Sequence, residues 1–229
     1  MRSTACLLGL AAIAAAAPVM ETQSAAAVTC VSGLYMIAAR GSEEDPGEGP
    51  LSMVTSMVEA LVPGSTSVAV DYPAAIYDDG TYPVSVYEGV TDTESKIEAY
   101  VSACGASSRI VLLGFSQGGN VMTDALAGGV LKPDPLTEAY RPYIKSVVVF
   151  GDPSFTINQS FDAGNATKNG IFSRGGDSLA MLNTYAGVLR SYCMVHDTIC
   201  ATGDSLDVHS AEVPTFAVAA AQFIASLAL

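Results

Sequence analysis

The sequence predicts an α/β fold, a parallel sheet covered by helices on both sides. Three observations lead there. Five apolar runs recur along the chain, stretches of helical length separate them, and Pro- or Gly-rich clusters mark the joints. Strands that alternate with helices in this way pair in parallel through right-handed crossovers.

The elements follow in order. LYMIAAR (34–40), SVAVDYP (67–73), RIVLLGF (109–115), SVVVFGDP (146–153) and VLRSYCMV (188–195) read as strands. Their near-continuous apolar character suits strands buried on both faces. Helices are expected over 50–62, 85–103, 117–129 and about 212–228. EEDPGEGP, LVPGS, KPDP and SRGGD supply the turns. Residues 154–187, rich in Asn, Gly and Ser, are long for a connection. They read either as a wall of a binding surface or as a loop pinned by its own packing.

At 229 residues with 50% apolar content the chain has material for one sizeable core, so 28–229 is read as a single domain. The opening MRSTACLLGLAAIAAAAP carries one positive charge, an apolar stretch and then small alanines. That is the pattern of a secretory signal over 1–17, cleaved near Ala17 or as late as Ala27. It falls short of the ~20 apolar residues that span a bilayer. No later run is longer, so a secreted protein without stable membrane insertion is expected.

Cys6 leaves with the signal, which leaves Cys30, Cys104, Cys193 and Cys200 for an oxidising compartment. Four cysteines allow three pairings, and the short spacing of CMVHDTIC favours Cys193–Cys200 with Cys30–Cys104. Without CxxC spacing or paired histidines, no metal site is expected. The balance of 10 basic to 23 acidic residues makes nucleic acid and anionic membranes poor partners. Asn158-Gln-Ser and Asn165-Ala-Thr fit the glycosylation sequon.

The chemistry centres on Gly114-Phe-Ser-Gln-Gly118, a G-x-S-x-G pattern between an apolar strand and a helix. Such a joint sets its serine at the apex of a tight turn, and the small glycines allow it. The helix start then aims N–H groups and a positive dipole end at any anion formed beside Ser116. A serine hydroxyl needs a base, and the base needs an orienter. His209 is the expected base and Asp197 its orienter, in the order Ser116, Asp197, His209. His196 is less suited, because it directly precedes Asp197 and neighbouring side chains on an extended segment diverge. Asp207 is a rival orienter outside the Cys193–Cys200 loop. The backbone N–H of Gln117 is one expected oxyanion donor. That of Ser42, in the loop after the first strand, is the candidate for the second, although on the residues alone Ser42 also reads as a helix-cap or turn serine.

AARGS (38–42), DYPA (71–74), GFSQGG (114–119), FGDP (150–153), SYC…D..C (191–200) and DVH (207–209) match in order and spacing those of a known family. From about Cys30 onward the chain resembles the cutinase and acetylxylan esterase group, carbohydrate esterase family 5. The resemblance implies a small, lidless α/β-hydrolase with a five-stranded parallel sheet and two disulfides, Cys30–Cys104 and Cys193–Cys200. It also implies the triad Ser116, Asp197 and His209 with an oxyanion hole at Ser42 and Gln117.

DYPA and GDPSF resemble the acetylxylan esterase branch, whereas a serine at 42 resembles the cutinases. The expected function is therefore a secreted serine esterase acting through an acyl-enzyme, without metal or organic cofactor. Its expected substrate is acetylated plant cell-wall polysaccharide, with a cutin-type polyester or small ester as the alternative. A non-catalytic binding protein on the same scaffold is the rival from another class. A monomer is expected, and activity should fall as the imidazole of the base protonates.

Overall fold

A computed structural model describes residues 28–76, 80–129 and 133–228. The expected signal segment lies outside the described residues. Six parallel strands form one sheet: β1 (Tyr35–Ala39), β2 (Thr66–Ala69), β3 (Ile110–Phe115), β4 (Ile144–Phe150), β5 (Asp162–Gly164) and β6 (Leu189–Cys193). Their order across the sheet is β2-β1-β3-β4-β6-β5. The helices are α1 (Ser52–Leu61), α2 (Tyr82–Cys104), α3 (Gln117–Ala127), α4 (Gly176–Asn183), α5 (Leu206–Ser210) and α6 (Glu212–Ser226).

The strict alternation of a strand explains why these runs are apolar throughout. Ile37, Ile110, Leu112, Val147 and Val149 point to one face, where Val86, Val90 and Ile97 of α2 and Val121, Met122 and Ala125 of α3 cover them. Met36, Val111, Leu113, Val148 and Phe150 point to the other, where Val54 and Val58 of α1 and Val213, Ala217 and Ile224 of α6 complete a second core. A sheet with one wet face would have left every second position polar. β3, at the centre, is buried at every position.

The sheet has six strands where the sequence pattern gave five. The sixth, β5, is Asp-Ala-Gly, too short and too polar to register as an apolar run. It exists because its backbone pairs with β6, Asp162 opposite Ser191 and Gly164 opposite Cys193. The same Asn- and Gly-rich segment also holds α4. β2 stops at Ala69, before the DYP that the sequence pattern assigned to it, and α2 starts at Tyr82 with Pro83 in its first turn. Proline fits there, where its missing N–H has no helical acceptor.

Both expected disulfides are present, Cys30–Cys104 with Cα atoms 5.6 Å apart and Cys193–Cys200 with 5.9 Å. The first ties the segment before β1 to the end of α2. Tyr35 stacks on Tyr100 with centroids 4.0 Å apart, and Val31 N–H donates to Tyr100 Oη at the same end of the helix. Among the described residues, no helix is long and apolar enough to cross a membrane. Asn158 and Asn165 are exposed, and Asn165 Oδ1 accepts the Val195 N–H.

Closing a loop of 74 residues is worth about 4.5 kcal/mol on chain-entropy grounds. Replacing Cys30 and Cys104 together by serine should therefore lower the thermal midpoint by roughly 10–15 °C in calorimetry. An unchanged midpoint would mean that the Tyr35–Tyr100 stack alone secures this end of the fold.

Candidate active site

Because every strand is parallel, all the carboxyl ends share one edge of the sheet, and the functional loops gather there. At the end of β3 the chain passes into α3 with Ser116 as the only residue between them. Its backbone is left-handed, φ +53° and ψ −119°, a conformation that costs a non-glycine residue about 1–3 kcal/mol. Phe150 O, at the end of neighbouring β4, accepts the Ser116 N–H at 2.8 Å and holds the turn.

The glycines on either side are needed for close approach. A Cβ at Gly114 would lie 2.3 Å from Gly118 O, and one at Gly118 would lie 1.9 Å from Ala39 O. The start of α3 thus rests directly on the end of β1. This contact brings the Arg40–Ser42 loop alongside the serine.

His209 Nε2 stands 2.8 Å from Ser116 Oγ, and His209 Nδ1 stands 2.8 Å from Asp197 Oδ2. Asp197 is fully buried, and His209 is 7% exposed. Asp197 Oδ1 accepts the N–H groups of Ile199 at 2.6 Å and Cys200 at 2.9 Å. Its carboxylate is thus gripped by the short disulfide loop that contains it. Burial pushes the Asp197 carboxyl up, but the His209 hydrogen bond and charge, with the two amides, outweigh it and hold it below the usual carboxylate value.

The segment carrying His209, flexible in appearance from its composition, is instead the short helix α5. The Ser205 hydroxyl caps it by accepting the Val208 N–H at 3.2 Å. The imidazole stacks on Phe115 with centroids 5.1 Å apart. It also lies against Gly151, where a Cβ would come 2.7 Å from His209 Cε1. His196 is away from this line, exposed and 3.1 Å from Asp204 Oδ1. Asp207 is exposed to solvent.

The two expected donors sit at the same edge. Gln117 N–H and Ser42 N–H have no backbone or side-chain acceptor among the described residues. The Gln117 side chain is locked, accepting from Ser85 Oγ at 2.9 Å and donating to Ala75 O at 2.6 Å. The Ser42 loop is braced by Glu44, which accepts the Gly41 N–H at 2.6 Å, and by Arg40, which donates to Tyr72 O at 2.8 Å. Glu43 N–H also reaches Ala74 O at 2.8 Å, so this loop and the DYPA loop form one unit.

Gly151, Phe115 and Ser85 therefore belong to the site although sequence reasoning did not single them out for it. FGDP was the one visible signal for Gly151, whereas nothing in the order of residues ties Ser85 to Gln117. Beside α3 opens a cavity of about 590 Å³ lined by Tyr82, Asn120, Phe172, Arg174 and Ser178 among others. Its floor holds the buried pair Arg174 Nη2–Asp124 Oδ1 at 2.5 Å. Residues 172–178 belong to the long Asn- and Gly-rich segment, which thus forms a concave wall. None of the three aligned residues lines that cavity.

The chain and its fold are similar to known proteins. The family model described as Cutinase matches residues 30–228. Acetylxylan esterase 2 of Talaromyces purpureogenus is 32% identical over 240 residues, covering 97% of this chain and 96% of that protein. Cutinase 11 of Verticillium dahliae is 28% identical over 237 residues, covering 99% of this chain and 77% of that protein. The catalytic core domain of acetyl xylan esterase from Trichoderma reesei superposes with a TM-score of 0.78 at 27% identity, over 87% of this chain and 100% of that one.

A hydroxyl in this setting should react with a serine-directed organophosphonate. Gly118→Ala must displace the turn from Ala39 O and should slow labelling of Ser116 about 10²-fold, followed by intact mass. Asp197→Asn keeps the shape but no longer holds the Nδ1–H tautomer, and labelling should slow by roughly 10³–10⁴. Labelling at the parent rate in the Asn variant would remove Asp197 from the chemistry.

Proposed function

The chain belongs to the cutinase family, and on that footing we propose that it is a secreted serine esterase that cleaves carboxylic esters through an acyl-enzyme. The observation that carries this reading is the continuous line from Ser116 Oγ through His209 to Asp197, at 2.8 Å on each side of the imidazole. With the neutral ring protonated on Nδ1 and donating to Asp197, Nε2 accepts from the serine.

As the hydroxyl oxygen attacks the ester carbonyl carbon, its proton passes to His209 Nε2. The Asp197 carboxylate stabilises the resulting imidazolium. Charge collects on the former carbonyl oxygen, and the N–H groups of Gln117 and Ser42 take it up. His209 returns the proton to the departing alcohol, which leaves the acyl group on Ser116. Water, deprotonated by the same imidazole, then attacks the acyl carbon, and the imidazolium hands its proton to Ser116 Oγ as the acyl–oxygen bond breaks and the acid leaves. No cofactor enters this sequence.

The substrate reading is acetyl groups on plant cell-wall polysaccharide. It is supported by the near full-length match to an acetylxylan esterase. The match to a cutinase supports a second reading, polyester or short-chain lipid ester hydrolysis. Secretion is supported by the signal-like opening of the chain and by two disulfides, which persist outside reducing compartments. We read residues 28–229 as one domain acting as a monomer, with Asn158 and Asn165 available for glycans.

Ser116→Ala should cut hydrolysis of p-nitrophenyl acetate by roughly 10⁴-fold or more while circular dichroism stays unchanged. Undiminished turnover would end the proposal. Rates on acetylated xylan, on p-nitrophenyl esters of rising chain length and on a polyester film separate the two substrates. A clear preference for the film or for long acyl chains would overturn the polysaccharide reading.

A further inference from the structure

One buried ionisable group lies against the catalytic line without a part in the steps above. Glu212 opens α6 with no solvent exposure. Its Oε1 accepts the Met194 N–H at 2.6 Å and lies 3.6 Å from Cys200 Sγ. Its Oε2 is buried and, among the described residues, has no donor. Two residues join this carboxyl to Asp197: Met194, whose N–H it accepts, takes the Asp197 N–H on its carbonyl at 3.1 Å, and Cys200, whose sulfur it touches, donates its N–H to Asp197 Oδ1 at 2.9 Å. The sulfurs of Cys193 and Cys200 lie close by, but their disulfide consumes the thiolates that a metal ion would need.

Two facing carboxylates repel, and neither can donate to the other. Ionised, Glu212 would leave a buried anion with one amide donor and an oxygen facing like charge. Protonated, it satisfies both oxygens: Oε1 keeps the Met194 N–H, and the hydroxyl supplies the donor that Asp197 can still accept. Asp197 then has four donors, the N–H groups of Ile199 and Cys200, His209 Nδ1–H and Glu212 O–H. That matches the acceptor capacity of a carboxylate.

We propose that Glu212 is a positioning residue: a buried neutral acid whose hydroxyl donates to Asp197 and holds that carboxylate in line with His209. It touches neither the ester nor Ser116, and it acts through Asp197 alone. Its kinetic consequence rests on the esterase reading; its protonation state does not.

Asp197, from the loop after β6, is the charged group acting on Glu212 among the described residues. Behind it stands His209 of α5, which Glu44 of the loop after β1 also faces. Burial, opposed by the Met194 N–H and reinforced by the Asp197 charge and hydrogen bond, raises the Glu212 carboxyl to about 8. It is therefore neutral at pH 6–7. Above about pH 8 it ionises, the donor is lost, and a second buried anion pushes on Asp197. The sign for folding follows from linkage. An unfolded glutamate titrates near ~4.3, so the stability gained by holding the proton is full below that pH and is lost as pH rises towards the folded value.

The test compares the parent with Glu212→Gln and Glu212→Leu. Glutamine keeps an acceptor for Met194 and a donor for Asp197 but cannot ionise. Leucine should lower kcat on p-nitrophenyl acetate about tenfold or more with KM little changed, and glutamine should recover most of that loss. The parent should lose activity above about pH 8, and this alkaline limb should vanish in the glutamine variant while the acid limb remains. Independently of activity, the thermal midpoint of Glu212→Gln relative to the parent should climb as pH rises from 5 to 8. An alkaline limb with the same midpoint in the glutamine variant, or a midpoint difference that does not change with pH, would overturn the proposal. Should Glu212→Leu fail to fold, the glutamine comparison decides alone. A parent without esterase activity, but with the expected midpoint trend, would count against the esterase reading and leave the buried acid standing.

Discussion

The site depends on a steric constraint, a chain that leaves the most buried strand and enters a fully buried helix with one residue to turn in. β3 and α3 are covered along their whole lengths, so neither can shift to relieve the joint. The turn must be left-handed at Ser116, and the helix must press its second residue onto the Ala39 carbonyl. Everything else at the carboxyl edge is arranged around that fixed point. The Phe150 carbonyl receives the serine amide, and the next residue, Gly151, lets the imidazole come close. Strain here is tolerated because two cores, one on each face of the sheet, hold the elements on both sides of it.

The imidazole and the carboxylate are secured by a different means, local closure. Asp197 lies in a loop shut by Cys193–Cys200, and the amides of that loop turn inward onto its Oδ1. His209 follows on a capped helical turn that leads into α6. The acid therefore keeps its place through covalent closure and the histidine through capping and stacking on Phe115. These are short-range devices, and they explain how carboxylate and imidazole can be aligned within residues 197–209 while the hydroxyl they face sits 93 positions from the imidazole.

What was legible in the sequence was what local pattern encodes. The apolar runs gave the five long strands, and the glycines around Ser116 gave the turn. Cysteine spacing favoured the disulfides, and the order of serine, aspartate and histidine gave the candidate line. β5 was invisible, because Asp-Ala-Gly becomes a strand only when β6 offers it a backbone to pair with. α5 was hidden by a polar composition, although its Ser205 cap was present in the letters. The braces of the Gln117 side chain and of the Arg40–Ser42 loop were out of reach for a plainer reason. Ser85 to Gln117 spans 32 positions and Arg40 to Tyr72 also spans 32, and no periodicity links residues that distant.

Arg174 carries a consequence for how such a protein can change. It ties the Asn- and Gly-rich segment to α3 through Asp124 and to the end of that helix through Gly128 O at 2.6 Å. That anchoring sits beneath the cavity, whereas Phe172, on its rim, is open to solvent. Substitutions along the rim can accumulate over generations without disturbing the floor or the hydroxyl, imidazole and carboxylate at the neighbouring edge. The rim of the cavity and the aligned side chains are thus free to vary independently.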